Sequence, residues 1–306
     1  MIEADRLSRR YGDFVAVDDV SFSIDQGEIV GLLGHNGAGK TTIMKMLTGY
    51  LEPSAGEVRI DGTVVEQDRQ TVQRQLGYLP ENLPLYPELS VADYLDYAAR
   101  LRGVDPVPAV RRAIDATELT AKALDPIATL SRGYRQRLGV AQAILHEPRF
   151  VILDEPTNGL DPNQTQQMRT LVKRLAQHAT VILSTHIMQE VNALCDRVLI
   201  LRNGVLVVDE RLENLRASNR LLVRTASEAN LLDALADVDG VAAAQQTGEG
   251  LWEIETRGNP DQVAQRVAAV LVTAGLPLYQ LVSAQRDLES VFREVNEMEL
   301  EAAHAA

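Results

Sequence analysis

The segment GHNGAGKT, Gly34 to Thr41, has the spacing G-x-x-x-x-G-K-[ST]. Gly34, Gly37 and Gly39 let backbone N–H groups close around phosphate oxygens, and His35, Asn36 and Ala38 add amides to the same loop. Lys40 can reach the β and γ phosphates of a nucleotide, and the Thr41 hydroxyl can be offered to Mg²⁺. An apolar run precedes the loop and the helix-forming stretch TTIMKMLTG, which includes Thr42, follows it. The partly positive N-terminus of that helix would favour the same anion.

Three further patterns could act on such a ligand. In FVILDEPTNGLDP an apolar stretch ends in the adjacent acids Asp154 and Glu155. At the carboxyl end of a buried strand Asp154 can hold Mg²⁺, while Glu155 can polarise a water for attack on the γ-phosphate. In LSRGYRQRLGVAQAIL a Ser131-x-Gly133 turn opens a helix, and the stretch ending in Ser184-Thr185-His186 places a histidine after another apolar run. Taken singly, each has a plain account as a solvated acid pair, a capped helix or a partly buried histidine. Arg135 and Arg137 read as a solvated helix face.

These residues need elements to bring them together. Glu28–Gly34, Phe150–Asp154, Thr180–Thr185 and Arg197–Leu201 read as strands, the middle ones almost continuously apolar as buried parallel strands are. Helical stretches alternate with them, which predicts an α/β layout. Residues 90–146 differ: VADYLDYAARL and GYRQRLGVAQAIL have helical periodicity and are separated by Gly103, Pro106 and Pro108, so they form a helical insert. Past about residue 216 the order becomes strand Leu221–Thr225, helix Glu228–Ala236, strands Val241–Gln246 and Leu251–Thr256, helix Pro260–Ala274, strand Leu278–Ser283 and a final helix from Asp287. That is a split β-α-β pattern.

A chain of 306 residues fits one large domain or two unequal ones, at roughly 100–200 residues per domain. The charge supports two: the chain from Arg216 onward carries 7 Arg, no Lys and 14 Asp+Glu, a net −7, against −6 for the longer first part. Residues 1–215 and 216–306 are therefore the expected domains. The total of −13 opposes binding nucleic acid through a broad basic footprint. No apolar run approaches the ~18–20 residues of a membrane helix, and MIEADRLSRR is not a signal peptide. The single cysteine, Cys195, excludes a disulfide framework and reads as a buried, inert thiol. His35, His146, His178 and His304 show no ligand spacing, so Mg²⁺ is the only metal implied.

In this order and spacing the motifs resemble the nucleotide-binding domain of ABC-type ATPases, over about residues 1–215. The resemblance implies a P-loop α/β ATPase domain with an antiparallel N-terminal β-subdomain and a helical insert, followed by a small α+β, ferredoxin-like C-terminal domain. It makes Gly34–Thr41 the Walker A loop, Tyr11 the aromatic residue that stacks on adenine, and Glu81 the Q-loop residue near Mg²⁺. Asp154 and Glu155 become the Walker B acid and catalytic base, Asn158–Asp161 the D-loop, and His186 the switch histidine. Leu130–Gly133 begins the signature, whose Ser131 and Gly133 touch γ-phosphate. Glu81 stands where Gln is usual, Arg132 replaces the first signature glycine, and Tyr134 replaces a Gln.

What the resemblance implies for function follows the same route. ATP and Mg²⁺ are the cofactors, and with one set of motifs the chain must pair head to tail with a second copy, holding ATP at the interface. YLPENLPLYPELSVADYL and AQRDLESVFREV are similar to ATP-binding subunits of bacterial export systems, including gliding-motility, multidrug and nitrous-oxide-reductase-maturation relatives. That implies separate membrane permease subunits as partners and a cytoplasmic, peripheral place at the inner face of the membrane. The alternative is a soluble ABC ATPase acting on nucleic acid or ribosomes. Those usually carry coiled-coil insertions, zinc cysteines or two cassettes in one chain, none of which this sequence has.

Overall fold

The computed structural model describes residues 1–226, 230–284, 289 and 292. The chain divides into two compact units, Met1–Leu212 and Glu213–Ala306. In the first, strands β1 (Ile2–Tyr11) and β2 (Phe14–Ile24) form an antiparallel hairpin around Gly12, whose φ of +58° suits the turn. Strand β3 (Ile29–Leu33) leads into helix α1 (Lys40–Leu47); β4 (Ala55–Ile60) and β5 (Thr63–Val64) complete a small sheet in the order β2-β1-β4-β5, whose paired strands are all antiparallel. Helix α2 (Arg69–Gln75) then runs into β6 (Leu76–Leu79).

The expected insert contains three helices, α3 (Val91–Leu101), α4 (Pro106–Ala116) and α5 (Arg132–Ile144). Pro106 and Pro108 stand between the two expected stretches, but within a third helix that they open. Asp105 caps α4 through the amide of Val107, and Pro106 takes the first helical position, where its missing N–H costs no hydrogen bond. Val91, Leu95, Ala109, Leu138 and Ala141 share the core of this helical region.

After it come β7 (Phe150–Asp154), α6 (Pro162–Leu175), β8 (Thr180–Thr185), α7 (Met188–Leu194), β9 (Arg197–Arg202), β10 (Val205–Arg211) and the short α8 (Leu212–Arg216). The central sheet has the order β10-β9-β3-β8-β7-β6. All its pairs are parallel except the β9–β10 edge. Every residue of β3, β7 and β8 is buried, which is why these strands read as unbroken apolar runs. Parallel strands end at the same edge of a sheet, so the loops after β3, β6, β7 and β8 collect there. Within the sheet Gly31 lies against Cys195: a Cβ built on Gly31 would stand 2.8 Å from the Sγ.

The second unit contains β11 (Arg220–Thr225), the short α9 (Leu232–Leu235), β12 (Val241–Gly248), β13 (Leu251–Thr256), α10 (Pro260–Thr273) and β14 (Leu278–Ser283). Its antiparallel sheet has the order β12-β13-β11-β14, so β11 and β12 flank β13 as a split β-α-β does. Leu221, Val223, Trp252 and Ile254 pack with Val263, Val267 and Leu271 of α10 in a separate core. The expected start at Glu228 and the expected helix from Asp287 lie outside the described residues.

Candidate active site

The loop between β3 and α1 wraps a cleft of about 550 Å³. Gly39, at φ +104° before α1, is obligatory on two counts: the backbone is left-handed, and a Cβ there would stand 2.6 Å from the carbonyl oxygen of Ala16. Asn36, Gly37, Gly39, Lys40, Thr41 and Thr42 line the cleft, joined by Tyr11, Glu81, Glu155 and His186. Gly34, His35 and Ala38 form the loop behind this wall: the Ala38 amide donates to His35 O at 3.1 Å, and Lys40 Nζ donates to Gly34 O at 2.7 Å and His35 O at 3.2 Å.

The acids sit beside the lysine. Glu155 Oε1 is 3.5 Å from Lys40 Nζ, with both side chains buried, so neither charge is left alone in a low-dielectric site. Glu155 has φ +51°, a left-handed conformation directly after β7, and its amide donates to Ser184 Oγ at 2.9 Å. His186 Nδ1 lies 3.0 Å from Glu155 Oε2 and 3.1 Å from Oε1. Asp154 is fully buried and is reached through other side chains: Thr41 Oγ1 donates to its Oδ1 at 3.3 Å, and Ser184 Oγ donates to the same oxygen. Its Oδ2 is buried with no hydrogen-bond partner. A carboxylate oxygen in that position suits a hard cation, and the neighbouring Thr41 hydroxyl makes the donor set one that fits Mg²⁺.

Tyr11 stands at the mouth of the cleft, 47% exposed, with the Arg9 guanidinium 4.7 Å from its ring centroid. Phe14 pairs with Tyr11 in register across the hairpin turn, is 63% exposed and lines the same mouth. Ser131 and Gly133 are elsewhere. They line a second hollow of about 320 Å³ with Asp161, Gln164 and Arg137, and the two hollows share no lining residue. Ser131 caps α5 through a long 3.4 Å bond from the Tyr134 amide.

One expectation fails here. Arg135 is exposed, but Arg137 is buried, donating to Thr117 O at 3.0 Å, Glu118 Oε2 at 2.8 Å and Gln167 Oε1 at 2.8 Å. It ties α5 to α6 and to the end of α4, and Gly133 fits against Gln164 on the same side. Helical periodicity could not separate the two arginines because the packing partner, α6, is distant in sequence. Ser184 and Phe14 carry no signature of their own in the sequence: the structure sets Ser184 in register with Asp154 and Phe14 two residues beyond the turn glycine.

A Gly-rich loop between strand and helix, a lysine on its carbonyls, and two acids and a histidine at the ends of the neighbouring parallel strands define a P-loop nucleotide hydrolase. A family model described as ABC transporter matches residues 17–158. The uncharacterized ABC transporter ATP-binding protein YxlF of Bacillus subtilis (strain 168) is 31% identical over 302 residues, covering 96% of this chain and 99% of that protein. The bacitracin transport ATP-binding protein BcrA of Bacillus licheniformis is 35% identical over 222 residues, 72% of each chain. A solved ATP-binding subunit of an ABC transporter superposes with a TM-score of 0.64 at 32% identity, over 70% of this chain and 91% of that one. The chain belongs to the ABC transporter ATP-binding family, whose members hydrolyse ATP. Among the described residues no helix is long and apolar enough to cross a membrane.

Proposed function

We propose that this chain is the MgATP-hydrolysing subunit of an exporter, working as a head-to-tail pair beneath separate membrane permease subunits at the inner face of the membrane. The observation that carries the reading is the separation of the two halves of the chemistry. Lys40, Thr41, Glu155 and His186 line one cleft, with Asp154 buried behind Thr41, while Ser131 and Gly133 lie in another hollow of the same chain. A second copy would supply the missing half. The bacitracin transport relative supports transport as the task.

In this reading Thr41, Asp154 and Glu81 would hold Mg²⁺, which neutralises phosphate charge when bound. Lys40 turns from the loop carbonyls to the β and γ phosphates, and Tyr11 stacks on adenine. Glu155 accepts a proton from the attacking water, and His186, hydrogen-bonded to Glu155, orients that carboxylate and faces the γ-phosphate. Ser131 and Gly133 of the second copy add charge-assisted hydrogen bonds of about 1.5–3 kcal/mol each, so closure depends on the γ-phosphate and ends with its release.

Glu155→Gln keeps the shape of the side chain and removes the base. With MgATP the variant is expected to accumulate as a dimer by size-exclusion chromatography with light scattering, and to remain at its MgADP mass when Ser131→Arg is added. A mass that ignores both nucleotide and Ser131→Arg rejects the two-copy reading.

A further inference from the structure

Arg132 stands between the two residues proposed to clasp a second copy's nucleotide, at the first position of α5. It is exposed, and its guanidinium does not point away from the protein: it lies on Gly159, in the turn between β7 and α6. A Cβ built on Gly159 would overlap Nη1 and Cζ of Arg132 and stand 2.8 Å from Nε. Gly159 has φ +69° and no side chain, so the flat guanidinium rests where any other residue would place one.

The turn under Arg132 belongs to the other half of the chemistry. Asn158, next to Gly159, lines the phosphate cleft, and its amide donates to the carbonyl of Glu155 at 3.1 Å. Leu160 donates to Thr157 O at 3.2 Å and Asp161 caps α6, so the segment from Glu155 to Asp161 is held by its own turn hydrogen bonds. Arg132 is a contact between that segment and the start of α5. A lysine could carry the charge there, but it has no planar face to rest on a peptide.

We propose that Arg132 is a positioning residue that transmits occupancy at Ser131 and Gly133 to Asn158 and Glu155 of the same chain, through its seat on Gly159. A second copy's nucleotide, arriving at the N-terminus of α5, displaces or fixes Arg132, and the Asn158 turn follows. Each chain's hydrolysis is then tuned by the nucleotide its neighbour holds. The inference rests on the head-to-tail reading above.

The test uses the full chain, steady-state ATP hydrolysis and a fluorescent-ATP titration. Arg132→Lys and Gly159→Ala are each expected to lower kcat about tenfold while the ATP Kd stays within twofold, with Tm followed to show that both remain folded. In the Arg132→Ala background Gly159→Ala should lower kcat by less than it does in the wild type, the remainder being the strain of an alanine at φ +69°. A Kd raised tenfold by Arg132→Lys with Gly159→Ala neutral would make Arg132 a direct phosphate contact and overturn the proposal. So would wild-type turnover in Arg132→Lys, or full additivity of the two substitutions. The underlying reading fails separately, by a specific activity of the wild-type chain that does not rise with its concentration.

Discussion

Tyr11 shows how a residue's role depends on which of its faces is free. Arg9 lies over the ring and Tyr11 lines the cleft, so in the proposed role a base would stack on a ring already held by a cation. Tyr11→Phe keeps the stacking face and is expected to hold ATP affinity within about twofold, whereas Tyr11→Ala should weaken it by about tenfold, or ~1.4 kcal/mol. Equal losses in a binding titration would move adenine recognition to Phe14. At this scale the sequence was informative where chemistry demands a residue type at a fixed spacing, as for Lys40, Thr41, Asp154 and Glu155. It was silent on Ser184, because a serine in an apolar strand has no signature until the register sets it beside Asp154 and the Glu155 amide.

Elements carry the next set of consequences. The strands of the central sheet were legible because burial on both faces forces unbroken apolar runs. Helix α4 was not, since Pro106 marks a boundary in sequence whether it closes one element or opens the next. The same limit hid Arg137, whose burial comes from α6 and the end of α4. Between α5 and β7 lies His146, whose Nε2 is 3.0 Å from the carbonyl oxygen of Leu76 and whose Nδ1 is buried without a partner. Burial, reinforced by the nearby Arg102, pulls its pKa down to about 4 from the usual 6.5.

Above pH 6.5 the imidazole is neutral in both folded and unfolded chains and adds no pH dependence. Between pH 6.5 and about 4 the unfolded chain takes up a proton that the native one refuses, so stability falls with pH over that window and levels off below it. His146→Gln retains a donor for Leu76 O and does not titrate. The urea midpoint of the wild type is therefore expected to drop further than that of the variant from pH 7 to pH 4, and parallel profiles would show that His146 protonates freely in the native state.

For the whole molecule, every side chain that lines the phosphate cleft belongs to the unit Met1–Leu212, and the unit that follows has its own sheet and its own core. A chain ending at Arg216 is thus expected to bind MgATP within about tenfold of the full protein, a difference of ~1.4 kcal/mol. A folded truncation that had lost binding altogether would make the second unit part of the nucleotide site. The charge shift and the change in element order pointed to a boundary near residue 216, and the compact units divide after Leu212. What the second unit contributes to function had no such signal, because a split β-α-β carries no chemistry of its own.

The close approach of Gly31 to Cys195 gives this protein a built-in clock. Burial, with Asp196 and Glu190 adding negative charge, pushes the thiol pKa well above its ordinary range, so at neutral pH almost none of the reactive thiolate is present in the folded chain. Cys195 follows α7 and precedes β9, is half-buried, and is the single cysteine of the sequence, so its alkylation reports the exposure of that one corner beside β3. Labelling by iodoacetamide at pH 7 is expected to be slower in the native protein than in urea. In the proposed role of the loop that β3 leads into, MgATP should slow it further. Mass spectrometry of the whole chain reads the clock directly, and rapid labelling of the native protein would mean that the β3 corner opens often, with the sheet less rigid beneath the phosphate loop than its burial implies.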